Sequence, residues 1–169
     1  QNVRQIEESR DVARTLSNKG HSRNTFYVLK VYDGDTLLVK GLDLEFKIRM
    51  VGIDAPEGGY KKNPGQPFAA ESKKYLKKLL QGKFITLKSH GVGGYNRQLA
   101  EVFYQNDNIN LKMVEAGLAE VYRGRRPETL DSAPYFKAEQ QAKRLKKGIW
   151  KQGESYVSPK RWRKTHPRK

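Results

Sequence analysis

The sequence predicts an α+β domain in which a small five-stranded β-barrel carries three α-helices, and three observations support that class. Residues 25–51 hold three runs rich in β-branched and aromatic residues, separated by short turns. Two further alternating runs follow at 83–89 and 98–104. Three segments with apolar residues at helical spacing end against glycine or lie between proline and glycine.

Each element follows from local residue chemistry. Thr25-Phe26-Tyr27-Val28-Leu29-Lys30-Val31-Tyr32 suits a strand, and Asp33-Gly34 supplies the turn after it. Residues 36–39 and 44–51 continue as strands around Lys40-Gly41-Leu42-Asp43, which completes a three-stranded meander. The Gly-, Pro-, Lys- and Asn-rich stretch 58–67 reads as an exposed loop. Residues 68–81 place Ala69, Leu76, Leu79 and Leu80 on one face among lysines, and Gly82 stops the helix. A flexible segment, 90–96, separates the last two strands. The second helix spans 109–116 and stops at Gly117; the third spans 134–147, with Pro134 near its start and Gly148 beyond its end. Before residue 25 the chain reads as a polar arm or frayed helix (1–24), and after 150 as an irregular basic tail (151–169), leaving one domain at 25–150.

The 169 residues carry 34 Lys plus Arg against 18 Asp plus Glu, a formal charge of +16. A small domain with that charge attracts polyanions at long range, so nucleic acid is the leading partner. An anionic membrane surface is the competing one, but no stretch is apolar enough to span a bilayer and no bulky amphipathic basic helix stands out. Cysteine is absent, which excludes disulfides, thiolate metal sites and a cysteine nucleophile. His21, His90 and His166 show no metal-ligand spacing.

Against this basic background, acid gathers in two short segments, Asp33-Gly34-Asp35-Thr36 and Ile53-Asp54-Ala55-Pro56-Glu57. Carboxylates brought to one point repel one another unless a cation neutralises them, and with no sulfur ligands the expected cation is hard and oxygen-bound. Arg49 and Arg97 are placed to clamp a phosphate bidentately and to stabilise the charge that grows on it, which lysine would not reproduce. Asp33 is equally a plain turn residue, Arg49 a plain salt-bridge partner, and Glu57 a solvated loop acid held by Pro56. Tyr95 and Tyr122 either stack on bases or pack partly into the core. In the tail, Lys160, Arg161, Arg163 and Lys164 surround Trp162, a mixture suited to contacting nucleic acid or to docking on the barrel.

The motifs Val31-Tyr32-Asp33-Gly34-Asp35-Thr36, Ile48-Arg49-Met50-Val51-Gly52-Ile53-Asp54-Ala55-Pro56-Glu57 and Tyr95-Asn96-Arg97-Gln98-Leu99-Ala100 resemble the staphylococcal nuclease (thermonuclease) family. The resemblance covers roughly residues 25–150 and reaches Gly117-Leu118-Ala119 and Lys147-Gly148-Ile149-Trp150. It implies a five-stranded OB-fold barrel and a monomeric, calcium-dependent endonuclease. The substrates would be DNA and RNA, preferably single-stranded, cut with little sequence preference to 3′-phosphate products. Asp35, Asp54 and the carbonyl of Ala55 would hold Ca2+, Glu57 would act as general base, Arg49 and Arg97 would be catalytic, and Tyr95 and Tyr122 would flank the nucleotide. An extracytoplasmic location follows from the same resemblance. Two departures stand out: Ala55 takes the place of the staphylococcal threonine, and Gly91-Val92-Gly93-Gly94 lacks the usual charges, with Asn96 where glycine is usual. The alternative is a catalytically silent OB-fold module that binds single strands, but such a module has no need of acids in its groove. A basic scaffold for acidic proteins has no supporting motif.

Overall fold

The computed structural model describes residues 24–168, so the predicted arm lies outside the described residues except for Asn24. Strands β1 (Thr25–Val31), β2 (Thr36–Lys40) and β3 (Glu45–Met50) form the expected antiparallel meander. Strand β5 (Phe84–Gly93) pairs with β1, and β6 (Arg97–Tyr104) pairs with β5. The sheet closes where β6 runs parallel to β3, with Ile48 opposite Gln98 and Met50 opposite Ala100. These five strands make a mixed barrel, so the predicted strand count and closure stand.

Alternation sets the interior: Val28, Val31, Leu37, Val39, Ile48, Met50, Ile85, Ala100 and Val102 point inward and are buried. Helix α1 (Ala69–Leu80) turns Ala69, Ser72, Leu76 and Leu80 toward the barrel and keeps Lys73, Lys74, Lys77 and Lys78 in water. Short β7 (Asp107–Asn108) leads into α2 (Ile109–Glu115), where the Asn108 side chain caps Leu111 N–H. Buried Asn110 is fully used: it accepts from Val102 N–H at 2.9 Å and donates to Val51 and Ala100 carbonyls at 2.9 and 3.1 Å. One amide thus ties α2 to the β3–β6 seam.

The expectation of three helices is corrected. Among the described residues there are four α-helices, because α3 (Ala133–Arg144) is followed by α4 (Pro159–Thr165) inside the segment read as an irregular tail. Ser158 accepts from Arg161 N–H and Pro159 occupies the first turn, a helix start within a short basic stretch that has no apolar period. A 3₁₀ segment, Gly148–Ser155, precedes it. The segment expected to be flexible at 90–96 also differs: β5 continues to Gly93 through an irregularity between Ser89 and Val92, and a 3₁₀ turn at Gly94–Asn96 returns the chain. Among the described residues no helix is long and apolar enough to cross a membrane.

Two-residue strands β4 (Ile53–Asp54) and β8 (Glu120–Val121) pair beside the barrel mouth. Glu139 of α3 fixes β8: its buried carboxylate accepts Val121 N–H at 2.6 Å, Lys143 Nζ at 2.8 Å and a short bond from Arg123. Burial raises the Glu139 pKa, but the Lys143, Arg123 and Val121 donors outweigh it and hold the group below its ordinary value. Glu139→Ala should therefore lose about 1–3 kcal/mol near neutral pH, mostly from the stranded Val121 N–H. Because the folded pKa is depressed, the share of this loss that comes from the charged carboxylate is present above the ordinary glutamate value and fades as pH falls through the folded one, while the stranded N–H remains. Urea titrations of both proteins down the acid range should show their midpoints converging.

Candidate active site

The Asp33-Gly34-Asp35 turn is shaped by contact as well as by hydrogen bonding. Asp33 accepts Asp35 N–H at 3.1 Å, the ordinary turn role. A Cβ on Gly34 would lie 1.9 Å from Ser72 Oγ of α1 and 2.7 Å from Ala55 Cβ, so only glycine lets the turn press against both. That pressure buries Asp35. Its carboxylate accepts Thr36 Oγ1–H at 2.9 Å and Ala55 N–H at 2.8 Å, and its carbonyl accepts Met50 N–H. Desolvation pushes the Asp35 carboxyl up to about 6, with the Asp33 charge adding and Arg49, Ala55 N–H and Thr36 opposing. Burial, more than repulsion among acids, perturbs this group.

Arg49 leaves β3 on its polar face and is 15% exposed. One terminal nitrogen donates to the carbonyls of Met50 and Ile53 at 2.8 and 2.9 Å. The other lies 3.1 Å from Asp35 Oδ2 and 3.3 Å from Asp54 Oδ1. The guanidinium therefore bridges the two acids of separate motifs, Asp35 and Asp54, and staples β4 to the end of β3.

Asp54 is 1% exposed, and a second guanidinium holds it from the other side. Arg163 of α4 makes a two-pronged pair with it, at 2.9 Å to Oδ1 and 2.8 Å to Oδ2. Arg163 also donates to Glu57 Oε1 at 2.7 Å, and Arg168 donates to Glu57 Oε2 at 3.1 Å. The bonds to Asp54 and Glu57 raise the Arg163 pKa further above its already high value, so it stays charged. Gln66 accepts Glu57 N–H at 3.0 Å, and its own N–H donates to the Glu57 carbonyl at 2.8 Å, which fixes the start of the 58–67 loop.

These groups border one cleft of about 1040 Å³ whose wall includes Asp33, Asp35, Arg49, Glu57, Tyr95, Arg97 and Tyr122. Asp54 and Ala55 lie beneath it, both buried. Arg97 donates to the Gly94 carbonyl at 3.0 Å and stands 5.7 Å from the Tyr95 ring, which is 95% exposed. Tyr122 is half-buried, its N–H bonded to Gly52 carbonyl and its carbonyl to Arg126. The fold thus brings Asp35, Arg49, Asp54 and Glu57 into one bonded cluster and sets Arg97, Tyr95 and Tyr122 on the same cleft. Among the described residues no group of three or more His, Asp or Glu is gathered tightly enough to hold a metal ion. The point that Asp35 and Asp54 share is held by the Arg49 guanidinium; the donor chemistry still fits a hard cation, because two carboxylates and the Ala55 carbonyl are all oxygen and calcium takes the balance of its oxygens from water.

Gln66 and Arg168 carry no site signal in the sequence, and Arg163 carries one only for nucleic-acid contact or docking on the barrel. Gln66 sits in a loop with no periodic cue, and Arg163 meets Asp54 across 109 residues, a pairing that spacing does not encode. The basic cluster around Trp162 was the one available signal, and that ring now lines the cleft, stacked on His166 at 3.9 Å.

Comparison with known proteins agrees with this geometry. A family described as staphylococcal nuclease homologue matches residues 47–152. A Haemophilus influenzae protein named an uncharacterized endonuclease is 36% identical over 151 residues, covering 88% of this chain and 78% of that protein. A probable endonuclease of Candida dubliniensis is 32% identical over 132 residues, covering 75% and 56% of the two chains. A probable endonuclease of Zygosaccharomyces rouxii is 39% identical over 111 residues, covering 62% and 40%. The chain spans about half the length of these yeast relatives. Since the family match runs from β3 through Asp54, Glu57 and Arg97 to the 3₁₀ segment after α3, the chain belongs to the staphylococcal nuclease family.

Proposed function

We propose that the cleft hydrolyses phosphodiester bonds of DNA and RNA, preferably in single strands, with Ca2+ as cofactor. The observation that carries this reading is the Asp35–Arg49–Asp54 junction with Glu57 and Arg97 on the same cleft. Asp35, Asp54 and the Ala55 carbonyl would hold the cation, which when bound would offset phosphate charge and polarise the scissile group. Glu57 takes a proton from water as its oxygen attacks phosphorus. The P–O5′ bond breaks in line and the departing O5′ takes a proton from solvent water, leaving 3′-phosphate and 5′-hydroxyl ends. Arg97 donates to a non-bridging oxygen, and Arg49 does so at the edge it turns to the cleft while it keeps both acids in place. Exposed Tyr95 offers a stacking face, as does Tyr122 in part, and a net charge of +16 draws the polyanion in. The unpaired bases of single strands suit such faces, and with contacts to phosphate and base face alone, sequence preference is weak. An extracytoplasmic, monomeric enzyme remains part of this proposal on family grounds.

A second reading, a silent single-strand binder, draws on one observation: Arg163 and Arg168 already satisfy Asp54 and Glu57. Two experiments separate them. Single-stranded DNA should be cut with Ca2+ and remain intact in excess chelator; cutting at full rate in chelator refutes the cofactor. Glu57→Gln should bind DNA normally yet lose about 10²–10⁴ in kcat, the scale of general-base loss. Turnover at the parental rate would remove Glu57 from the base role. Arg49→Lys should lose activity and stability together, because a lysine lacks the fork that reaches two carbonyls and two carboxylates.

A further inference from the structure

Asp54 and Glu57 have their outward oxygens occupied by the chain's own cations, and both cations belong to one segment. Arg163 takes both oxygens of Asp54 and one of Glu57, and Arg168 takes the other. We propose that this C-terminal segment is an autoinhibitory plug: Arg163 competes with the divalent cation for Asp54, and together with Arg168 it blocks Glu57 from the attacking water. The inference rests on the reading of Asp35, Asp54 and Glu57 as the cation and water site.

Charge and geometry support an exchange. Asp35, Asp54 and Glu57 carry three negative charges, and Arg49, Arg163 and Arg168 carry three positive ones. A dication that replaces two guanidiniums leaves the total charge of the site unchanged. The forked geometry makes the two occupants exclusive, since both need the same lone pairs of Asp54. The family model matches residues 47–152, and α4 begins after that span, so the plug lies outside the part of the chain that the model describes.

The segment is built to stay near the cleft yet to come away. Its base is anchored: Tyr156 donates to Glu120, Gln66 donates to the Val157 carbonyl at 2.6 Å, and Pro159 is buried. The helix that starts at Pro159 has seven residues, of which Pro159 alone is buried; Arg163 and Arg168 tie the segment to the cleft, Arg168 also standing 5.8 Å from the Tyr60 ring, while Trp162 and His166 stack on each other. A helix this short has little stability of its own, so once the ion pairs go it opens. The Gln66 contact couples anchor and base, because the same side chain accepts Glu57 N–H.

The test uses the full chain and two measurements. Calcium binding by isothermal titration should be tighter for Arg163→Gln than for the parent by about 10- to 100-fold, corresponding to an open fraction of about 1–10% in the parent. Lys137→Gln, which removes a charge from exposed α3, should bind as the parent does. Hydrogen–deuterium exchange of the parent should show residues 158–168 losing protection at saturating Ca2+ while the barrel strands keep theirs. Equal affinities of parent and Arg163→Gln, or unchanged protection at 158–168, would overturn the plug and leave the nuclease reading intact. If neither protein binds Ca2+, the plug falls together with the cofactor assignment, and the chelator experiment on DNA cleavage identifies which failed first.

Discussion

The Arg49 guanidinium is the constraint on which the site depends. It touches the β1–β2 turn through Asp35, the end of β3 through Met50 carbonyl, and β4 through Ile53 carbonyl and Asp54. Met50 and Ile53 anchor the strand ends in the core, but the polar groups between them need a partner of their own. Asp33–Asp35 is a turn, and β4 is two residues long. A buried guanidinium needs several acceptors, and the backbone supplies two that have no other place in the ladder. The barrel sets the position of Arg49 by pairing β3 on both sides, opposite Thr36 on β2 and Leu99 on β6. Sheet closure thereby becomes site geometry.

Burial then decides which charges matter. Most of the excess Lys and Arg face water, where an ion pair contributes roughly 0–1 kcal/mol and a lone charge costs almost nothing. Asp54 differs, since a carboxylate 1% exposed and stripped of a partner would cost about 3–5 kcal/mol. Some cation must therefore face Asp54 in every state of the protein. In the state described here Arg49 and Arg163 both do so, Arg163 40% exposed and reaching in from α4. Asp35 feels the same burial with weaker compensation, which is why its carboxyl lies above the ordinary range while its bonded neighbours pull it down.

Much of this was legible in residue order, and the exceptions share a cause. The meander, the α1 face and both acid motifs are local patterns: alternation, helical spacing and Asp-Gly chemistry act within ten residues. Closure through β3 and β6 was implied by strand number. The fourth helix was missed because Ser158-Pro159 is a good start signal followed by charges, and only docking, not periodicity, makes seven such residues helical. Strands β4 and β8 were invisible because two residues carry no alternation. The extension of β5 to Gly93 was hidden by glycine, which weakens strand propensity but does not forbid pairing with β6. Residue pattern showed which side chains carry the acids, but not which cation answers them.

That last gap has a physical consequence for the cleft. Arg163 and Arg168 are neutralised only while they face Asp54 and Glu57. Released, they become two cations on a short segment beside Trp162 and His166, at the rim of a cleft that also carries Arg97, Arg125 and Arg126. Their next available counter-ions are phosphates, and transfer from buried carboxylate to bound phosphate keeps each guanidinium paired throughout. Under the proposed reading, polyanion and dication would favour the same open state from opposite ends, one binding the arginines and the other the acids they leave. By linkage each must strengthen the other's binding, so a site closed by its own arginines is opened most readily where both substrate and cation are present.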